Sequence, residues 1–266
     1  MSAVAEDFEA WQRVFRHRPA AAGRPLRLGL IQLASDFTLE NEWRQLLVDG
    51  LELYSTRTPC SPTVAPEQLR GLADGLASSA ELLVPGLELD VLVFGCTSGS
   101  MLIGEGEVAR LLRSARPGIA VSNPWTAVKA ALRHLGARRI AVLTPYIAAV
   151  NQPLCAGLEE AGFAVACCGT FAVLEDAAIP RIGADDIVAA ARVLLAMEQV
   201  DALFLACTNL RTLDVLEELE AELQIPVVSS NQAMFWHALR SVGFARPVPG
   251  FGRLLADQSP VGGVES

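Results

Sequence analysis

The 266-residue chain is poor in the residues on which much familiar enzyme chemistry depends. Lysine occurs once, at Lys129, although basic residues total 21, so a cofactor held as a Schiff base has a single candidate amine. The three histidines, His17, His134 and His237, are too few and too scattered for a histidine-rich metal site, and no CxxC pair marks a zinc site. Only 19% of residues are charged and the net charge is −9, which leaves no basic footprint for nucleic acid or an anionic membrane surface. No apolar run approaches the roughly 18 residues of a membrane span, and residues 3–18 mix acids, aromatics and arginines where a signal peptide needs an apolar stretch. There is no GxSxG elbow, HExxH pair or P-loop, and Gly104-Glu105-Gly106 lacks the third glycine and the preceding strand of a dinucleotide loop. What remains is a 52% hydrophobic chain with six cysteines, at positions 60, 96, 155, 167, 168 and 207. Without a signal peptide these are read as reduced thiols of a cytoplasmic protein, and sulfur is the reactive element left.

Between about residues 26 and 251, short apolar runs alternate with segments of helical period. LRLGLIQLA, LELYST, DVLVFG, IAVSN, RRIAVLT, FAVACCG, DALFLA and IPVVSS are read as strands, separated by helices such as ADDIVAAARVLLAMEQ. Near-continuous apolar strands joined by helices give parallel sheets covered on both faces, an α/β fold. The order also repeats: DVLVFGCTSGS returns as DALFLACTNLR, with Cys96 and Cys207 separated by 111 residues, and IAVSNP returns as PVVSSN. A recurring offset implies two similar lobes, each with a four-stranded parallel sheet, related by a pseudo-twofold axis. The expected division is an N-terminal extension over residues 1–25, with a short amphipathic helix at 6–15, and a first lobe over 26–136. A second lobe over 137–256, whose last helix can pack back on the first, and a mobile tail over 257–266 complete it.

Ligands of open parallel sheets bind beyond the carboxyl ends of the strands, so the site is expected in the cleft between the lobes. Cys96 and Cys207 each follow a buried strand and are expected at a helix start, where N–H groups and the positive helix end favour the thiolate. Thr97, Ser98, Thr208 and Asn209 add short donors beside the sulfurs, suited to a carboxylate. The plain alternative is that each cysteine is a small apolar residue closing a strand. Their matched Cys-Thr context at the repeat offset argues against that for both at once.

The paired strand–Cys-Thr motifs, the duplication and LTPYIAAVNQ resemble the aspartate/glutamate racemase superfamily, within it the maleate cis–trans isomerase and arylmalonate decarboxylase branch, and there the ectoine-utilisation isomerase-like proteins. The likeness spans roughly residues 26–244 and implies Rossmann-like lobes, no cofactor, and a homodimer. It implies that Cys96 adds to a substrate double bond with Cys207 assisting, or that the two exchange a proton at a stereocentre. The decarboxylase lacks the first cysteine, so Cys96 argues against simple decarboxylation. Tyr146 matches a tyrosine that donates to the substrate carboxylate or its oxyanion. Asn151 either contacts substrate or caps the next helix; Asn123 and residues 229–231 either line the cleft or cap helices. The main departure is Asp36, where the maleate isomerases carry a carboxylate-binding asparagine. A carboxylate there repels a dianion and attracts an ammonium or amide, unless Asp36 serves instead to cap the helix beginning near Thr38.

The leading expectation is therefore a cofactor-independent isomerase or racemase acting on a small carboxylate, maleate-like or derived from an amino acid or ectoine. Arylmalonate-type decarboxylation and a binding protein with the same cleft but no turnover are the alternatives. Metals, nucleic acid and membranes are not among the expected partners.

Overall fold

The computed structural model describes residues 12–15 and 23–257. The expected helix over 6–15 lies largely outside them, and its described part, 12–15, is not helical; tail residues 258–266 also lie outside. The first lobe runs β1 (Leu26–Leu33), α1 (Leu39–Gln45), β2 (Leu51–Thr58), α2 (Pro66–Gly71), α3 (Ala73–Leu82), β3 (Val91–Gly95), α4 (Thr97–Ile103), α5 (Glu105–Ala115), β4 (Ala120–Ser122) and α6 (Pro124–His134). The second runs β5 (Arg139–Thr144), α7 (Ala148–Glu160), β6 (Ala164–Thr170), a 3-10 turn (Asp176–Arg181), α8 (Ala184–Met197) and β7 (Ala202–Leu205). A second 3-10 turn (Leu213–Val215), α9 (Leu216–Leu223), β8 (Val227–Ser229), α10 (Ser230–Ser241) and α11 (Arg253–Ala256) follow.

The duplication read from sequence is present in the topology. One sheet has the order β2-β1-β3-β4 and the other β6-β5-β7-β8, all pairs parallel. The strands β3 and β7 are buried along their whole length, which is why their sequences carry no polar alternation. In each sheet the chain reverses its direction of travel at the central pair, β1/β3 and β5/β7. The carboxyl ends of such a pair form the crevice where open α/β sheets hold ligands.

Helix α10 crosses from the second lobe to the first, packing against α6 with residues 230–239 all buried. The Ser122 hydroxyl lies 2.8 Å from His237 Nδ1, and the His134 and Trp236 rings are 5.1 Å apart. On the opposite side, a loop from each lobe meets in an antiparallel bridge at Thr63 and Glu175. The Val64 N–H donates to Leu174 O and the Asp176 N–H to Pro62 O, each at 3.0 Å. Among the described residues no helix is long and apolar enough to cross a membrane.

Candidate active site

Four chain segments leave the two switch points and converge between the lobes. Cys96 follows β3 and occupies the N-cap of α4, its sulfur accepting the Gly99 N–H at 3.3 Å and lying 3.9 Å from the Ser98 hydroxyl. Gly99 has no room for a side chain: a Cβ there would stand 2.9 Å from Cys96 Sγ. Cys207 follows β7, but the expected helix start is absent. The chain instead turns, and Cys207 adopts a φ of +110°, a conformation an L-residue rarely adopts. Its N–H is held at 3.0 Å by Ser230 Oγ, which also accepts the Thr97 hydroxyl at 2.8 Å. One serine thus ties the residue after the first cysteine to the backbone of the second.

Tyr146, at the carboxyl end of β5, brings the two sulfurs into one environment. Its side chain is buried beside Cys207, Cys96 and Ser98. Burial and these sulfurs hold the phenol well above its ordinary range. Its backbone is fixed by the Asn151 side chain, whose amide donates to Tyr146 O at 2.8 Å and accepts from the Thr144 hydroxyl at 2.6 Å. Asn151 is therefore not a cap, since α7 begins earlier, at Ala148; it braces the turn that carries Tyr146.

Both cysteines are only 4% exposed, and the expected lowering of their pKa is reversed. Desolvation pushes Cys96 up to about 12, outweighing the Gly99 N–H at the head of α4. Cys207 is pushed up by the same cause, with the nearby carboxylate of Asp176 adding to it, against the opposing pull of the Tyr146 hydroxyl and the Asn209 N–H. Burial thus favours the neutral thiol at both positions.

The remaining expected residues divide by what they touch. Asn123 caps α6, its Oδ1 accepting the Thr126 N–H at 2.9 Å, and Ser229 caps α10 in a capping box with Gln232. Thr208 donates to Gly95 O at 3.4 Å, across the lobes. Asn209 donates to the backbone and carboxylate oxygens of Asp176, both at 3.1 Å, and accepts the Phe37 N–H at 3.2 Å. Asp36 is buried and uses Oδ1 to accept the N–H groups of Thr38 and Leu39, both at 2.9 Å, so it does hold the start of α1. Its Oδ2 is buried without a hydrogen-bond partner, with the Thr208 side chain as its neighbour. Burial raises the Asp36 carboxyl to about 6.

Asp176 escaped the sequence reading. It reaches the site from the second lobe's loop, accepting the Ser35 hydroxyl at 2.5 Å, and it raises the pKa of both thiols. Its only sequence signal is an acid in LEDAAIP beyond the end of a strand, which solvation accounts for equally well. Lys129 stays outside the site, 2.8 Å from Glu105 and over the Trp125 ring.

The geometry meets independent likenesses. Residues 89–255 match the family model described as arylmalonate decarboxylase. The chain is 31% identical over 247 residues to a maleate isomerase of Nocardia farcinica, covering 88% of this chain and 97% of that protein. It is 38% identical over 140 residues to an arylmalonate decarboxylase of Bordetella bronchiseptica, covering 52% of this chain and 58% of that one. A solved structure of the Nocardia farcinica maleate cis–trans isomerase, a cysteine-to-serine mutant with a covalently bound succinylcysteine intermediate, superposes with a TM-score of 0.77. It shares 29% identity and covers 87% of this chain and 98% of that one. The chain therefore belongs to the family of the maleate isomerases and arylmalonate decarboxylase.

Proposed function

We propose that the protein is a cofactor-independent isomerase of a small unsaturated carboxylate, with Cys96 as the nucleophile and Cys207 as its acid–base partner. The observation that carries this reading is the pair of buried thiols that end the central strands of duplicated lobes and are joined through Thr97 and the Ser230 hydroxyl. The succinylcysteine on the Nocardia farcinica relative supports addition of a thiol to an alkene, and the presence of Cys96 disfavours the decarboxylase alternative.

In the first step the Cys96 thiolate forms a bond to one alkene carbon, and the π pair moves toward the carboxylate on the adjacent carbon. Tyr146 and Ser98 donate to the oxygens where that charge gathers, and any proton that Cys207 places on the carbon returns to Cys207 before the thiolate leaves. The former double bond is now single and rotates. Expulsion of the thiolate restores the alkene as the other geometric isomer, so nothing is consumed. Substrate entry requires the lobes to part, and rehydration then lets the Gly99 N–H and the head of α4 favour the thiolate. Thr97, Thr208, Asn123, Asn151 and Asn209 serve as the frame around these groups. A homodimer, a cytoplasmic setting, and an acid derived from an amino acid or ectoine are the finer parts of the proposal, supported by the sequence resemblance.

Separate Cys96→Ala and Cys207→Ala variants, assayed with maleate and its monoamide, test the reading. Loss of turnover in both is expected, and unchanged turnover in both contradicts it. In deuterated water, isomerisation without label at the carbon supports addition and rotation, whereas retained label supports proton exchange.

A further inference from the structure

The thiols are bracketed by acids. Asp36 stands on the turn after β1 with one buried oxygen committed to backbone N–H groups and the other free of any hydrogen bond. Asp176 comes from the opposite lobe and is tied to the first by Ser35 at 2.5 Å and to the second by Asn209 at 3.1 Å. The charged side chains that act most on Cys96 and on Cys207 are in each case these two carboxylates. Among the described residues neither Asp36 nor Asp176 forms an ion pair. Arg57, on the neighbouring strand β2, spends its guanidinium on the backbone oxygens of Leu33, Ala34 and Asp36, and the sole lysine is paired with Glu105.

A dicarboxylate placed between the thiols would bring a second negative charge against this pair in a site with little water to screen it. Like charges at such range disfavour binding strongly. A group with N–H donors has the opposite relation to the free Asp36 oxygen, which gains the hydrogen bond it lacks.

We propose that the site takes an acid with one carboxylate and, at its other end, an amide or ammonium nitrogen held by Asp36 Oδ2, and that Asp36 and Asp176 together select against dicarboxylates. The proposal rests on the isomerase reading above and names its substrate class. The single carboxylate lies toward Tyr146 and Ser98, where the donors are, and the nitrogen end lies toward the turn after β1. The same acid side chain that caps α1 through one oxygen thus reads the substrate through the other.

Equilibrium binding of saturated analogues tests this without requiring any reaction. Calorimetric titration with succinamate, which has one carboxylate and one amide, is compared with titration with succinate. The medium is held at about pH 8, above the pKa of about 6 that burial gives Asp36. The native protein is expected to bind succinamate at least about tenfold more tightly, and Asp36→Asn to narrow or reverse that preference by about tenfold. Asparagine keeps the Oδ1 acceptor of the α1 cap, so the fold survives; Asp176→Asn, which retains acceptors for Ser35 and Asn209, is expected to shift the preference the same way. Tighter binding of succinate by the native protein, a preference that neither variant moves, or binding of neither acid overturns the proposal. A preference for succinate lost in Asp36→Asn would show a protonated Asp36 donating to a second carboxylate instead. The isomerase reading is judged separately, by turnover in Cys96→Ala and Cys207→Ala, so either can fail while the other stands.

Discussion

Tyr146 is the residue on which the proposed chemistry turns, because it is buried beside both sulfurs and carries a hydroxyl able to donate to the substrate. Replacing it with phenylalanine removes one donor from a buried site and leaves the ring to fill the same space. The expected result is a fall in kcat of about 10² to 10³ with a smaller change in KM, the size of loss seen when one oxyanion donor is removed. Circular dichroism identical to that of the native protein separates this from misfolding. The sulfurs themselves supply a second expectation. Because desolvation raises Cys96 to about 12, the thiolate is a minor species throughout the neutral range. Alkylation of Cys96 in the ligand-free protein should therefore accelerate about tenfold per pH unit between about pH 7 and 9, read by peptide mass mapping. A plateau below about pH 8 contradicts a buried, neutral thiol.

At the scale of elements, helix α1 does more than cover a sheet. Glu42 reaches from it into the second lobe, where its carboxylate accepts the N–H groups of Thr212 at 2.6 Å and Leu213 at 3.1 Å and the Asn231 amide at 2.6 Å. The next residue, Trp43, donates its indole N–H to Asn231 O at 3.1 Å and packs edge-on against Phe235, 5.2 Å between ring centres. Burial nevertheless dominates, and the Glu42 carboxyl rises from its ordinary 4.5 to about 7. A carboxyl raised on folding binds its proton more tightly in the folded state. Its contribution to stability is full below about pH 4.5 and declines as the pH climbs through 7. Glu42→Gln should flatten this decline, removing at most about 3 kcal/mol of pH-dependent destabilisation, measured as Tm against pH from about 4.5 to 8. Parallel curves for the two proteins contradict the assignment. Neither Glu42 nor Asp176 was legible as more than a charge on a polar segment, because each is buried by the other lobe, which local sequence does not reveal. Glu220, in an acidic helix face, is instead buried within its own lobe against the N–H groups of Val227 and Arg253.

For the whole molecule, the duplication was the legible part. The eight runs became eight strands; the central β3 and β7 are apolar because they are buried along their whole length, whereas the edge strands β2 and β6 are only partly buried, and the repeat indicated which strand ends face each other. What could not be read was asymmetry between the lobes. Cys96 caps a helix while Cys207 sits at positive φ in a turn, although both begin a Cys-Thr motif. Nor does sequence reveal how loops from both lobes meet at Thr63 and Glu175, or the burial that favours the neutral form of both thiols.

The central claim is that Cys96 adds to the substrate while Cys207 assists. Intact mass and peptide mapping of Cys207→Ser incubated with maleate or its monoamide test it most directly, because loss of the partner should strand the addition product. A single adduct on the peptide bearing Cys96, absent from a Cys96→Ala/Cys207→Ser double variant, is the expected result. Absence of any adduct, or an adduct confined to Cys155 or Cys168, contradicts it.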